Sequence, residues 1–155
     1  MRKFLWIAGI VLVLDQLTKF IAADYLASRG EVQLASFFSF VLVHNTGAAF
    51  GILSSAGGWQ NIFFITLAAI ACVVIFWMFW RLNSQDIFLA VSLMLILGGA
   101  MGNLVDRLIH GHVIDFIDVY YRSWHWPAFN IADSAITAGA IILGIDAFRS
   151  KSQTK

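Results

Sequence analysis

Four stretches of this chain are apolar enough and long enough to cross a lipid bilayer, and that constrains everything else about its fold. A helix rising about 1.5 Å per residue needs about 20 apolar residues to cover the hydrocarbon. Residues 4–23, 62–80, 87–104 and 131–148 meet that requirement. Composition agrees, with 60% hydrophobic residues, 12% charged and a mean hydropathy of +0.81. Soluble domains carry about twice that share of charge, so a water-soluble globule is excluded. At 155 residues the chain is read as a single integral membrane domain, 1–155. A net charge of +1 leaves no polybasic surface for nucleic acid. The one cysteine, Cys72, lies inside an apolar run and is read as a small hydrophobe.

Lysine and arginine set the expected orientation. Arg2, Lys3, Arg81, Arg149, Lys151 and Lys155 lie at the N-terminus, in the short turn 81–86 and in the tail, which four spans put on one side. Lys19, Arg29, Arg107 and Arg122 belong to the two long connections or the helix ends beside them. The bias assigns both termini to the cytoplasm and both long connections to the outer face. Trp6, Trp77 and Trp80 then mark the inner interface, and Trp59, Trp124 and Trp126 the outer one. Residues 4–23 are read as a retained span: Asp15, Gln16 and Lys19 come where a cleaved signal would end, and no small-residue cleavage site follows.

The outer connections carry structure of their own. Residues 37–43 (FFSFVLV) and 113–119 (VIDFIDV) are aromatic and β-branched, as strands are. Gly47, Gly51, Gly57, Gly58 and the single proline, Pro127, punctuate them. The expected architecture is therefore an all-α membrane protein of four transmembrane helices with a small β-rich platform on its outer face.

Ionisable residues inside such spans are expensive and point to function. Eleven Leu, Ile, Val and Phe residues in the first span gain roughly 3–7 kcal/mol on insertion. Asp15 and Lys19 at the bilayer centre would each cost about 2.5–3.5 kcal/mol. Four residues apart on one helix face, they can pair and dock this helix against its neighbours. The third span ends G-G-A-M-G-N-L-V-D-R. Gly98 and Gly102 form a small-xxx-small pattern for close helix packing. Asn103, Asp106 and Arg107 then gather an amide, a carboxylate and a guanidinium near the outer interface.

Further along come Asp115 and Asp118, and then Asp133 near the outer end of the fourth span. Asp115 and Asp133 approach the same surface from the same side. Two adjacent carboxylates share a proton, so that one can deprotonate water while the other polarises a carbonyl. Two unrelated interfacial acids remain the alternative on spacing alone. His44, His110, His112 and His125 do not have the helical spacing of a zinc motif, and Ser54, Ser55 and Ser134 lack a base partner. A small proton-relaying transporter is the alternative function, but broken-helix repeats are absent and the acids gather at one interface.

The chain resembles bacterial lipoprotein signal peptidase (signal peptidase II) along essentially its whole length. The resemblance rests on five blocks in order: D-Q-L-T-K (15–19), N-T-G-A-A-F-G (45–51), G-G-A-M-G-N-L-V-D-R (98–107), V-I-D-F (113–116) and F-N-I-A-D (129–133). It implies an intramembrane aspartyl endopeptidase of the bacterial cytoplasmic membrane, working toward the outer face and inhibited by the cyclic peptide globomycin. Its substrates would be diacylglyceryl-modified prolipoproteins, cut just before the lipidated cysteine. The resemblance assigns Asp115 and Asp133 to catalysis. It assigns Asn45, Asn103, Arg107 and Asn130 to positioning substrate and the acid pair, with Asp15 and Asp106 in support, where Lys19 joins them as the partner of Asp15. No metal or cofactor is implied, and the expected partners are the lipidated precursor and membrane phospholipid, with the enzyme a monomer.

Overall fold

A computed structural model describes residues 1–47, 59–83 and 85–152. Gly51, Gly57, Gly58, Ser54, Ser55 and positions 48–51 of the second sequence block lie outside the described residues. Four helices are long and apolar enough to cross a membrane: α1 (Leu5–Arg29), α2 (Trp59–Trp80), α3 (Ile87–His110) and α4 (Ile131–Ser152). Four strands complete the fold: β1 (Val32–Ala35), β2 (Phe38–Asn45), β3 (Val113–Tyr121) and β4 (Trp124–His125).

Helices α1 and α3 outrun their apolar windows. Hydropathy marks where lipid ends, whereas a helix ends where its backbone is capped. Gly30, at φ 71°, and Gly111, at φ 78°, adopt positive φ and take the capping bonds to Leu26 and Arg107 carbonyls. Arg107 therefore lies within α3, one turn before its end, and residues 24–29 belong to α1 and not to the loop expected there.

Helix α3 is the hub and packs against the other three. Its small residues are the reason. A Cβ on Gly98 would meet the Ala8 backbone and Val11 of α1 at 2.8 Å. One on Gly99 would overlap the Ala132 carbonyl of α4, and one on Gly102 the Asp15 carboxylate. Close approach at these glycines brings α1 and α4 onto neighbouring faces of α3. Large apolar side chains such as Phe20, Ile62, Val73 and Phe148 point outward, as lipid contact requires.

The antiparallel strands run in the order β1-β2-β3-β4 and form a platform at the end of the bundle where α1 and α3 finish and α2 and α4 begin. The expected strands at 37–43 and 113–119 correspond to β2 and β3; β1 and β4 were not anticipated. Asp115 stands in β3. Asp118, three residues on, falls on the opposite face because side chains alternate. There it accepts a bond from Ser39 Oγ at 3.1 Å and meets His125 Nδ1 at 2.9 Å. The segment after β4 is laced to β3 through Phe129, whose carbonyl accepts from Phe116 and Ile117 and whose N–H donates to Ile117. That lacing delivers the start of α4 to the side of Asp115.

Candidate active site

The site begins with a buried cation. Lys19, 2% exposed, uses all three ammonium protons: Asp15 Oδ2 at 2.8 Å, Asp106 Oδ2 at 2.9 Å and Asn103 Oδ1 at 2.9 Å. The two carboxylates find further donors. Asp15 Oδ1 accepts the backbone N–H of Ala132 at 2.8 Å, capping the first turn of α4 from a different helix. Asp106 accepts from Ile114 N at 3.0 Å and from Gln16 Nε2 at 2.8 Å. One ammonium thus ties α1, α3, the entry to β3 and the start of α4 together.

Asn103 carries the order outward. Its carbonyl faces Lys19, so its amide NH₂ must face the other way, and it donates to Asp133 Oδ1 at 2.8 Å. Asp133 stands at the third position of α4 and Asn130 at its N-cap. Asn130 Oδ1 accepts the Asp133 N–H at 2.9 Å, and Asp133 Oδ2 accepts the Asn130 N–H at 3.3 Å. This is a reciprocal capping box built from Asn and Asp. The same Asn130 donates through Nδ2 to Asp115 Oδ1 at 2.7 Å. Asn45, diagonal to Asp115 across the β2–β3 pair, donates to its other oxygen at 2.9 Å.

Asp115 and Asp133 therefore share a partner, and both line a cavity of about 650 Å³ with Asn45, Asn103, Arg107 and Trp126. Asp115 is 1% exposed. Burial pushes its carboxyl up to about 7, against the bond from Asn45 and with help from the neighbouring Asp133 charge. Arg107 donates to the Gly47 carbonyl at 2.8 Å and lies 5.0 Å from the Phe64 ring, so it also holds the chain just beyond β2.

The nine residues that the resemblance and the buried-charge reading put forward as site or support, Asp15, Lys19, Asn45, Asn103, Asp106, Arg107, Asp115, Asn130 and Asp133, all join this one network or its cavity. Asp118 and His125 lie apart from it. Gln16 was passed over, although an amide next to Asp15 inside a span was a visible signal. The rings of His44 and His112 lie 4.4 Å apart, tilted by 47°, and His110 is 5.9 Å from His112; among the described residues no group of three or more His, Cys, Asp or Glu could hold a metal ion.

Fold and cavity together define a multi-pass membrane enzyme with its polar groups converged at one end of the bundle. The family model for Signal peptidase (SPase) II matches residues 7–149. The lipoprotein signal peptidase of Alteromonas mediterranea is 48% identical over 148 residues, covering 96% of this chain and 81% of that protein. Its counterpart from Burkholderia thailandensis is 51% identical over 149 residues, covering 96% and 89%. A solved bacterial membrane enzyme, 32% identical, superposes with a TM-score of 0.89 over 100% of this chain and 93% of that one. The chain belongs to the signal peptidase II family and is a multi-pass peptidase of the bacterial inner membrane.

Proposed function

We propose that this chain removes the signal peptide from diacylglyceryl-modified prolipoproteins, cutting just before the lipidated cysteine, with Asp115 and Asp133 as its catalytic pair. The observation that carries this is Asn130, which bonds Asp115 through its side chain while capping α4 with Asp133. An asparagine so placed holds two carboxyls in a fixed relation on one cavity wall. With one proton shared by the pair, we assign it to Asp115, whose carboxyl burial raises to about 7, and leave Asp133 as the base.

A water between them gives a proton to Asp133 as its oxygen bonds to the scissile carbonyl carbon. The Asp115 acid hydrogen-bonds to the carbonyl oxygen and stabilises the charge that develops there. The proton then passes from the pair to the amide nitrogen as the C–N bond breaks. Asn45 and Asn103 fix the outer oxygens of the two carboxyls, while Asn130 links them. Arg107 borders the same cavity, where its remaining donors can take a substrate backbone carbonyl. Asp15, Lys19 and Asp106 act through Asn103 and the α4 cap.

The termini lie in the cytoplasm and the sheet faces outward, a reading supported by the Lys and Arg distribution. The enzyme acts as a monomer in contact with phospholipid. A site at the interface needs its scissile bond held at that depth. The diacylglyceryl group supplies this, because each buried methylene contributes about 0.8 kcal/mol. Anchoring also makes attack by the bound water nearly unimolecular. The test compares a lipidated precursor with the same precursor made without the lipidating enzyme. Rapid cleavage of the first alone is expected; equal rates would refute the substrate assignment.

A further inference from the structure

We infer a binding site for an anionic glycerophospholipid at the end of the bundle opposite the acid pair. That the lipid belongs to the cytoplasmic leaflet rests on the orientation proposed above; the site itself does not. A groove of about 770 Å³ runs between α1, α2 and α3, walled by Leu5, Gly9, Leu12, Cys72, Trp77 and Met101 among others. It follows α1 from Leu5 to Leu12, about 11 Å at 1.5 Å per residue. One leaflet of hydrocarbon is about 15 Å deep, so the groove has the length of an acyl chain entering from one surface and stopping near mid-membrane. Its concavity comes from Gly9, where an added Cβ would meet nothing within 4 Å.

The mouth supplies the second half of the argument. A further cavity of about 580 Å³ shares Trp80 with the groove and is bordered by Arg2 and Lys3. The Arg2 guanidinium lies 4.9 Å from the Trp80 ring, and that of Arg81 lies 4.5 Å from Trp77, the other indole of the groove. Among the described residues none of Arg2, Lys3 and Arg81 forms an ion pair with a carboxylate. Elsewhere in the chain, Lys19 is neutralised by two acids. Three uncompensated cations over an apolar slot one leaflet deep match a phosphate headgroup with its chain inserted below. Arginine is suited to that role because it binds phosphate in a fork and stacks on aromatic rings at once. The indoles hold the guanidinium groups at headgroup level, where tryptophan prefers to lie.

The test uses the full chain purified in detergent, with dioleoylphosphatidylglycerol and dioleoylphosphatidylcholine as probes and native mass spectrometry as the readout. The anionic lipid should be retained about tenfold better than the zwitterionic one. The combined Arg2→Gln, Lys3→Gln, Arg81→Gln variant should bring the two to the same level. Gly9→Phe sends a ring into the groove from a position where an added Cβ meets nothing within 4 Å, and should lower retention of both, while cleavage of the lipidated precursor continues. Equal retention of the two lipids by the parent protein would overturn the proposal. So would unchanged retention in Gly9→Phe; if that variant instead raised the KM for precursor, the groove would belong to the signal peptide. Because binding is read without cleavage, failure here is distinct from failure of the proposed activity.

Discussion

Lys19→Met removes the ammonium at the centre of the network while keeping an unbranched apolar stem of similar length. Three charge-assisted bonds of 2.8–2.9 Å disappear. Asp15 and Asp106, 0% and 2% exposed, are left facing one another without their cation. Breaking a buried ion pair from one side costs about 3–5 kcal/mol, most of it from the stranded charge. Two stranded carboxylates place the expected loss at the upper end of that range. The Asn103 Oδ1 also loses the shorter of its two donors and keeps only Asn130 Nδ2 at 3.2 Å, so the bond from Asn103 to Asp133 is held less firmly and cleavage should fall along with stability. Reversible unfolding in mixed detergent micelles measures the first effect, and turnover of a lipidated precursor at saturating substrate the second. Lys19→Met with Asp15→Asn and Asp106→Asn should regain much of the stability, because no buried charge is then left unpaired. A single variant within about 1 kcal/mol of the parent protein would refute the reasoning.

The pH profile of turnover should show a basic limb near pH 7. Burial raises the Asp115 carboxyl to about 7, and above that pH the pair loses its shared proton, with rates falling about tenfold per unit. The same group makes folding less favourable as pH rises from about 4 through about 7, because the native state holds a proton that the unfolded chain has released. A rate flat to pH 9 would remove Asp115 as the acid. For orientation, a cysteine at the exposed Ser123, between β3 and β4, in a Cys72→Ser background should react with an impermeant maleimide on cells whose outer membrane has been permeabilised; reaction only after lysis of the inner membrane would invert the topology.

Local patterns in the sequence were enough to find the spans, the platform and the Asp15–Lys19 pair. Each rests on a periodicity that the chain carries by itself: apolar runs, alternating β-branched residues, an i,i+4 spacing. Association across the chain was harder to read. That Lys19 would also reach Asn103 and Asp106, or that Asp15 would cap α4, depends on how closely α3 lets α1 and α4 approach. Gly98, Gly99 and Gly102 decide that distance, and their spacing alone does not say which face meets which helix. Asp118 shows the opposite case. It stands as close to Asp115 in sequence as a partner would, yet a three-residue step along a strand turns it to the other face. The helix ends were misjudged because Asp24 and Arg29 look like loop residues to a hydropathy window, although the helix continues through them to the turn at Gly30.

The central claim is that Asp115 and Asp133 act as one pair. The measurement that tests it most directly is cleavage of a lipidated precursor by purified Asp115→Asn and Asp133→Asn, each alone and then combined. An amide keeps the size of the side chain and one of its two acceptor oxygens, but it can neither hold nor take the proton. Each single variant should therefore insert and fold yet lose at least about 10²–10³-fold in turnover, in line with loss of general acid–base catalysis. The double variant should be scarcely worse than either single one, since groups that act as a unit do not lose activity additively. Turnover close to that of the parent protein in either single variant would contradict the account.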